Sequence, residues 1–364
     1  MKYAKKLFKV AIIGCGKIAE KHALLLKSTQ LKHFNLEAVC DTNKNKSKNF
    51  GKKYNVNYFF NLDDLLKSTN VDIVVICTSS GYHYSNALTV SKYKKHIIIE
   101  KPISLNIESA KKIVKIYSKI NKKLFVVMQN RLNPLINLLS EVIKKKILGK
   151  ISSVSVRVWW CRDQNYYDQA NWRGTWKFDG GIFMNQGIHH LDLMTWLIGP
   201  VKSLNAMIKR RLVKIESEDF GSATLEFKNG VIGNIEVSTA LRPKNLENSI
   251  TVLGENGNIQ IGGLYMNELK IYDLKNKKLA NSILKKYKNK KSKNNHHLFY
   301  EHVSQNLIKK KTNQEMIIDG KEALKSLEIV TGIYKSVISK KRVYFPIESQ
   351  YRIKENKLLF ELKK

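Results

Sequence analysis

Apolar residues follow two rhythms along this chain, and the change between them falls near residue 130. Before it, short unbroken runs recur: "FKVAIIG" (8–14), "NLEAVCD" (35–41), "NVDIVVICTS" (70–79), "KHIIIEK" (95–101) and "KLFVVMQN" (123–130). Runs this short and this rich in β-branched residues read as strands buried on both faces. Helical spacing fills the gaps, with Ile18, Ala23 and Leu26 on one face, a second pattern over Tyr84–Tyr93, and a third opening at Ser104 as its cap. Strand alternating with helix predicts a doubly wound parallel sheet. Beyond residue 130, "ISSVSVRVWWC" (151–161), "VKSLNAMIKRR" (201–211), "FGSATLEFKNGVIGNIEVST" (220–239) and "NSITVLGENGNIQIGG" (248–263) alternate apolar with polar positions. Two of them contain hairpin turns, "KNG" and "ENGN". They predict a mostly antiparallel sheet open on one face, bordered by helices at 134–147, 187–198, 297–310 and 320–339. The expectation is an α/β chain: a parallel-sheet domain over 1–130, an α+β domain over 131–345, and a basic tail over 346–364.

A length of 364 residues suits two domains, and 43% hydrophobic content suits a globular chain. The apolar runs are too short to cross a membrane. The N-terminal "MKYAKKLFKVAIIG" leads into a glycine turn rather than a small-residue cleavage site, so it reads as a strand and not a signal peptide. Cys15, Cys40, Cys77 and Cys161 are scattered without a CxxC pair, which argues against disulfides and zinc and for the cytoplasm. The net charge of +35 invites a nucleic-acid reading. That reading needs basic residues clustered on a recognition element. Here lysines are spread over nearly every helix face, so no nucleic-acid partner is expected, although the charge can steer an anionic substrate. The densest run, "LKKYKNKKSKNNHH" (284–297), reads as a solvated loop.

The chemistry gathers at the ends of the first-rhythm strands. "GCGKIA" joins the first strand to the first helix. Gly14 permits the tight turn, Gly16 lets backbone approach a pyrophosphate at the helix N-terminus, and Ala19 stands where the fingerprint has its third glycine. Asp41, ending the second strand, can bind a ribose diol and repel a 2′-phosphate, which selects NAD over NADP. Thr78, Ser79 and His83 follow the next buried strand and are expected to line the same crevice. His83 has the alternative of a helix-entry residue satisfied by backbone. Lys101 follows the strand after that, where a partly desolvated amine beside an oxidised nicotinamide can act as a base. In the second region, paired glycines precede Asn185, His189 and Asp192, which share a helical face at spacings of four and three, while His190 points elsewhere. An HxxxH zinc helix is absent, and no metal is expected.

In this order, "GCGKIA", Asp41, "EKP" (100–102) and the "GG…NxGxHxxD" segment resemble the Gfo/Idh/MocA oxidoreductase family, over about residues 8–345. That family includes glucose–fructose oxidoreductase and inositol dehydrogenase. The resemblance implies a Rossmann domain followed by an α/β domain whose open sheet makes oligomer contacts, giving a dimer or tetramer. It makes Lys101 the catalytic lysine, His189 the active-site histidine and Asp192 a structural acid. Asn185 stands where many members have Asp, and the usual TP dipeptide is Thr78–Ser79 here.

The cofactor side is expected to comprise Gly14, Gly16, Lys17, Ile18, Asp41, Thr78, Ser79, His83, Glu100 and Lys101, joined by Gln129, Trp172 and Arg173. The stretches "WWCRDQNYYDQANWRGTWKFDGGIFMNQGIHH" and "STALRPKNLENSITVLGENGNIQIGG" further resemble the branch of UDP-N-acetylglucosamine or UDP-N-acetylglucosaminuronate 3-dehydrogenases. Those act in surface-polysaccharide or lipid A sugar synthesis. The substrate side is then Lys101, Arg131, Arg162, Tyr166, Tyr167, Asn185 and His189, because arginines bind phosphate or carboxylate and tyrosines stack and hydrogen-bond. Trp176 is expected in the core and Arg157 at the surface. The alternatives are an inositol or free-sugar dehydrogenase of the same family and a non-catalytic dinucleotide sensor.

Overall fold

The computed structural model describes residues 6–288, 295–308, 318–347, Leu358 and Leu362. It divides into two compact units, Met1–Val127 with His296–Leu324, and Met128–Asn295 with Lys325–Lys364.

The first unit is built on six parallel strands, β1 (Phe8–Ile13), β2 (Phe34–Cys40), β3 (Asn57–Phe59), β4 (Ile73–Ile76), β5 (His96–Ile99) and β6 (Leu124–Val126). They lie in the order β3-β2-β1-β4-β5-β6. This is the dinucleotide-fold order, whose direction reverses between β1 and β4 and opens a crevice at the strands' carboxyl ends. The apolar runs are strands because both sheet faces are covered. Every residue of β4, and Ile97–Ile99 of β5, is fully buried. The connecting helices are α1 (Lys17–Leu26), α2 (Lys44–Tyr54), α3 (Leu62–Ser68), α4 (His83–Lys92) and α5 (Ile107–Lys119). Asparagines start three of them: Asn43, Asn61 and Asn106 each accept from backbone amides in the first turn. At α5 this corrects the expected cap, since Ser104 instead accepts from the Asn106 amide.

The second unit carries α6 (Pro134–Lys144), β7 (Ile151–Trp159), α7 (Gln164–Asp168), α8 (Ile188–Ile198) and then β8 (Val201–Lys209), β9 (Phe220–Phe227), β10 (Ile232–Ser238), β11 (Glu247–Gly254), β12 (Gly257–Gly262) and β13 (Glu268–Leu274). These are followed by α9 (Lys277–Lys288), α10 (Asn295–Ile308), α11 (Gly320–Ser339) and β14 (Val343–Tyr344). The eight strands run in the order β13-β12-β11-β7-β10-β9-β8-β14, antiparallel except for the β7–β10 pair. Register explains the open face. One cross-sheet row, Ala223–Ile235–Val156–Ile250–Ile261, is buried throughout. The neighbouring row, Met207–Ser222–Glu236–Arg157–Ser249, is polar apart from Met207, which is 75% exposed.

Two expectations need correction. Residues 131–345 do not form one continuous domain, because α10 joins the first unit, where Tyr300 reaches His22 of α1 and His296 reaches Glu100, the residue after β5. The stretch 284–297 is not simply a loop: α9 runs through Lys288 and α10 starts at Asn295, while 289–294 lie outside the described residues. Apart from Pro346, Ile347, Leu358 and Leu362, the expected tail also lies outside them. Among the described residues, no helix is long and apolar enough to cross a membrane. All four cysteines are free thiols.

Candidate active site

In the first unit the glycine turn, Asp41 and the ends of β4 and β5 meet at one sheet edge. Gly14 has φ +87°, and a Cβ there would stand 2.8 Å from the backbone of Cys77 and Thr78, so only glycine fits. At Gly16 a Cβ would meet nothing within 4 Å. Gly16 caps α1 without any side-chain hydrogen bond, so no capping side chain occupies the first backbone N–H groups of the helix. Lys17 and Ile18 begin that helix, exposed and half-buried respectively. Asp41 fastens the loop, accepting from the Cys15 amide at 2.8 Å and from the Asn43 amide at 2.8 Å. Each carboxylate oxygen keeps further acceptor capacity, so the ribose role is compatible with the loop role. A helix N-terminus open to an anion, with an acid at the second strand end, fits a dinucleotide.

Thr78 and Ser79 are half-buried beyond β4, and Thr78 Oγ1 accepts from Asn86. His83 is placed differently from the crevice-lining expectation. It is 1% exposed, with Nδ1 2.7 Å from the Pro102 carbonyl and Nε2 3.0 Å from the Thr78 carbonyl. It therefore ties the ends of β4 and β5 together, the backbone-satisfied alternative. Burial holds its pKa below the ordinary histidine value, against the pull of those carbonyls.

Lys101 is half-buried at the end of β5, directly after Glu100. Glu100 is a buried carboxylate: His22 Nε2 lies 2.9 Å from its Oε1 and His296 Nε2 3.6 Å from the same atom. Its Oε2 accepts from the Lys101 amide. Burial pushes the Glu100 pKa up, but the two imidazoles outweigh it and hold the carboxyl well below its usual range. Tyr300 faces His22 Nδ1 at 2.8 Å. Burial keeps this phenol protonated, so it donates to Nδ1 and leaves the Nε2 hydrogen for Glu100. Against the expectation of no metal, His22, Glu100 and His296 bring three ligand-type atoms within 4.8 Å of one another. The short His22–Glu100 contact is a charge-assisted hydrogen bond, so two of these three atoms already pair with each other.

In the second unit, Asn185 and His189 lie half-buried on an irregular helical start. Phe183–Gly187 form a π turn that runs into α8. Asp179, 4% exposed, accepts from Asn185 Nδ2 through one oxygen and from the Gly174 amide, at 2.8 Å, through the other. His190 points into the core, where burial lowers its pKa to about 4. Gln129 sits in a short 3-10 turn, and its Oε1 has no hydrogen-bond partner among the described residues.

Arg131 is not available to a substrate phosphate. It is 1% exposed and forks onto Asp192, with Nε to Oδ2 and Nη2 to Oδ1 both at 2.7 Å. This corrects its substrate assignment and makes Asp192 its structural counter-ion. Tyr167 is likewise drawn inward, 4% exposed with its hydroxyl 2.9 Å from Thr239 Oγ1. Arg162 and Arg173 do come together around Tyr166. Their guanidinium carbons stand 5.0 Å and 4.2 Å from its ring centroid, and also 5.0 Å from the Trp160 ring and 5.8 Å from the Trp172 ring respectively. A cleft of about 560 Å³ opens beside them, lined by Gln164, Tyr167, Asp168, Arg173, Arg210 and Lys214 among others. Asn185 and His189 do not line it. Trp176 is core, edge-on to Tyr334, and Arg157 is half-exposed near Glu247.

Supporting residues that went unnoticed in the sequence include His22, His296, Tyr300, Asp179, Glu218 and Tyr334. His22 had a signal, since it shares the buried face of α1 with Ala19, Ala23 and Leu26. Asp179 had another, standing immediately before the glycine pair.

Comparison with known proteins agrees with this geometry. Residues 8–128 match the model of an oxidoreductase family with an NAD-binding Rossmann fold, and residues 136–260 match the GFO/IDH/MocA C-terminal domain. The WlbA dehydrogenase of Bordetella pertussis, solved with NADH and UDP-GlcNAcA, is 34% identical with a TM-score of 0.87, over 95% of this chain and 99% of that one. The WlbA dehydrogenase of Chromobacterium violaceum, solved with the same two ligands, is 36% identical with a TM-score of 0.88, over 95% and 97%. Myo-inositol 2-dehydrogenase of Thermotoga maritima is 25% identical over 63% of this chain and 68% of its own length. With two domain models matched in order and near-complete relatives above 30% identity, the chain belongs to the Gfo/Idh/MocA family of NAD-binding oxidoreductases.

Proposed function

We propose that this enzyme oxidises the 3-hydroxyl of a UDP-N-acetylamino sugar, UDP-N-acetylglucosaminuronate or UDP-N-acetylglucosamine, to the 3-keto sugar. The observation that carries the reading is the near full-length likeness to two dehydrogenases solved with NADH and UDP-GlcNAcA. The arginine–tyrosine–tryptophan cluster of Arg162, Tyr166, Trp172 and Arg173 supports it, because such a surface suits a planar base and an anionic sugar nucleotide.

The backbone amides at the start of α1 would hold the pyrophosphate and Asp41 the ribose. NAD supplies, when bound, the acceptor for the hydrogen on C3. Lys101, as the neutral amine, takes the proton from the 3-hydroxyl as that carbon–oxygen bond becomes a carbonyl. His189 assists this proton transfer. Asn185, which has no proton to exchange, positions the sugar. The product suits surface-polysaccharide or lipid A sugar synthesis. We also infer a homo-oligomer formed through the open sheet face, where Met207, Ile232 and Leu253 are exposed.

A substrate panel with NAD tests the reading: UDP-N-acetylglucosaminuronate, UDP-N-acetylglucosamine, myo-inositol and glucose. Turnover confined to a UDP-sugar is expected. Turnover of inositol or free glucose in preference to both UDP-sugars would reject it.

A further inference from the structure

We infer that Glu218 and Tyr334 are positioning residues for the turn bearing Asn185 and His189, and that loss of the Glu218 proton loosens that turn. The inference rests on the proposed roles of Asn185 and His189.

Glu218 lies between β8 and β9 and is 0% exposed. Tyr334, also 0% exposed, comes from α11. Its hydroxyl oxygen stands 2.7 Å from Glu218 Oε1 and 2.9 Å from the Gly180 carbonyl. A phenol has one hydrogen and cannot donate to both acceptors at once. The contacts are all satisfied if Glu218 is a carboxylic acid that donates to Tyr334, while Tyr334 donates to Gly180. Oε1 can still accept from the Phe183 amide, 3.3 Å away. Among the described residues the other oxygen has no partner and no cation pairs with the group.

This relay ends on the glycine pair. Gly181 has φ +89°, and a Cβ there would overlap both Glu218 oxygens and the Tyr334 hydroxyl, so the second glycine of "DGG" is the residue the acid packs against. Asp179, one residue before the pair, holds the Asn185 amide. The π turn starts two residues after Gly181. Glu218 also supports that turn directly through the Phe183 amide.

Removing the proton changes the arithmetic. A carboxylate can only accept, so the single Tyr334 hydrogen is drawn to it and the Gly180 carbonyl is released. The buried negative charge then has amides and a phenol but no counter-ion. Burial pushes the Glu218 pKa up to about 8, only partly offset by Tyr334 and the amides of Ile182 and Phe183. Tyr334 is held well above its own usual value by burial, Glu218 and Asp179, so it does not ionise first. Glu218, Tyr334 and Asp179 are thus the titratable groups that bear on the switch, one each from the β8–β9 connection, α11 and the loop before the π turn.

The test is amide hydrogen exchange over residues 180–189 at pH 6.5 and pH 9, in the wild type, Glu218→Gln and Tyr334→Phe, with the NAD-loaded enzyme. Variants are compared at equal pH, and thermal melting confirms that each is folded. The wild type should lose protection there relative to Glu218→Gln as pH rises through about 8, and Tyr334→Phe should be loosened at both pH values. With whichever sugar the wild type turns over, kcat should follow the protection and KM should not, falling about ten- to a hundredfold for a displaced site. Glu218→Gln should show no alkaline fall. Equal protection in all three proteins at both pH values, or the same alkaline step in Glu218→Gln as in the wild type, overturns the inference. Exchange needs no substrate, so a wild type that oxidises no sugar defeats the proposed function while the exchange result still decides this one.

Discussion

Glu100 in the first unit and Glu218 in the second are both buried carboxyls beside a proposed site residue, yet their surroundings drive them to opposite states. Glu100 has two imidazoles and is held ionised; Glu218 has a phenol and amides and is held neutral near pH 7. Burial acts on both in the same direction, toward the neutral acid. What differs is whether a group that can bear positive charge stands within hydrogen-bond reach. The comparison also separates two ways of holding a site. Lys101 extends from the end of a regular buried strand, whereas Asn185 sits on a π turn that depends on side chains from distant segments.

The largest expected effect sharpens the second half of that contrast. Arg131→Ala would leave the Asp192 carboxylate buried without its fork, and breaking such a pair costs about 3–5 kcal/mol. Chemical denaturation should show that loss, with Arg131→Lys recovering only part of it. A near-wild-type midpoint for Arg131→Ala would return the arginine to the substrate.

Lys101→Met comes next. It should retain NAD binding and lose at least about a hundredfold in kcat, the scale of general acid–base catalysis. Near-normal turnover would leave the Glu100 cluster supporting a strand end and no catalyst.

The two carboxyls should titrate stability with opposite sign. Glu218 has a folded pKa of about 8, above the ordinary glutamate value of 4.5, so its contribution is fully present below about 4.5 and lost as pH rises toward and through 8. Glu100 is depressed below 4.5, so its contribution is present above that value and lost as pH falls below it. Glu218→Gln should therefore raise the melting temperature by about 2–4 °C at pH 8.5 and not at pH 5. His22→Leu should instead flatten the acid dependence, lowering the melting temperature more near pH 7 than near pH 4. The same pH dependence in both variants would erase the distinction drawn between the two sites.

The smallest effect is at the cofactor. Asp41→Ala should weaken NAD by about tenfold, the worth of a hydrogen bond to a charged group, and NADP by less. Fluorescence titration of both cofactors measures it, and tighter NADP than NAD binding in the unmodified enzyme would reverse the preference.

The same contrast explains what the sequence made legible. Strands β1, β2, β4 and β5 were readable because continuous β-branched runs are unambiguous when both faces are buried, and Gly14, Asp41 and Lys101 hang directly from their ends. The segments α2, β3 and α3 went unread because α2 is mostly Lys and Asn, with little apolar period, and β3 is three residues long. On the second side, no local pattern announces a π turn. Arg131 looked like a free cation because Asp192, 61 positions away, is brought to it only by packing. The pairing of Glu218 with Tyr334 spans 116 positions and is equally invisible in one dimension.

The central claim is that the hydrogen removed lies on C3 of a UDP-amino sugar. The direct measurement supplies UDP-N-acetylglucosaminuronate and UDP-N-acetylglucosamine deuterated at C3, with NAD, and weighs the reduced cofactor by mass spectrometry. The account predicts that, with at least one of the two sugars, NADH gains one deuterium and a 3-keto sugar nucleotide appears beside it. Reduced cofactor without deuterium, or no reduction with either sugar while a free sugar or inositol is oxidised, would contradict it.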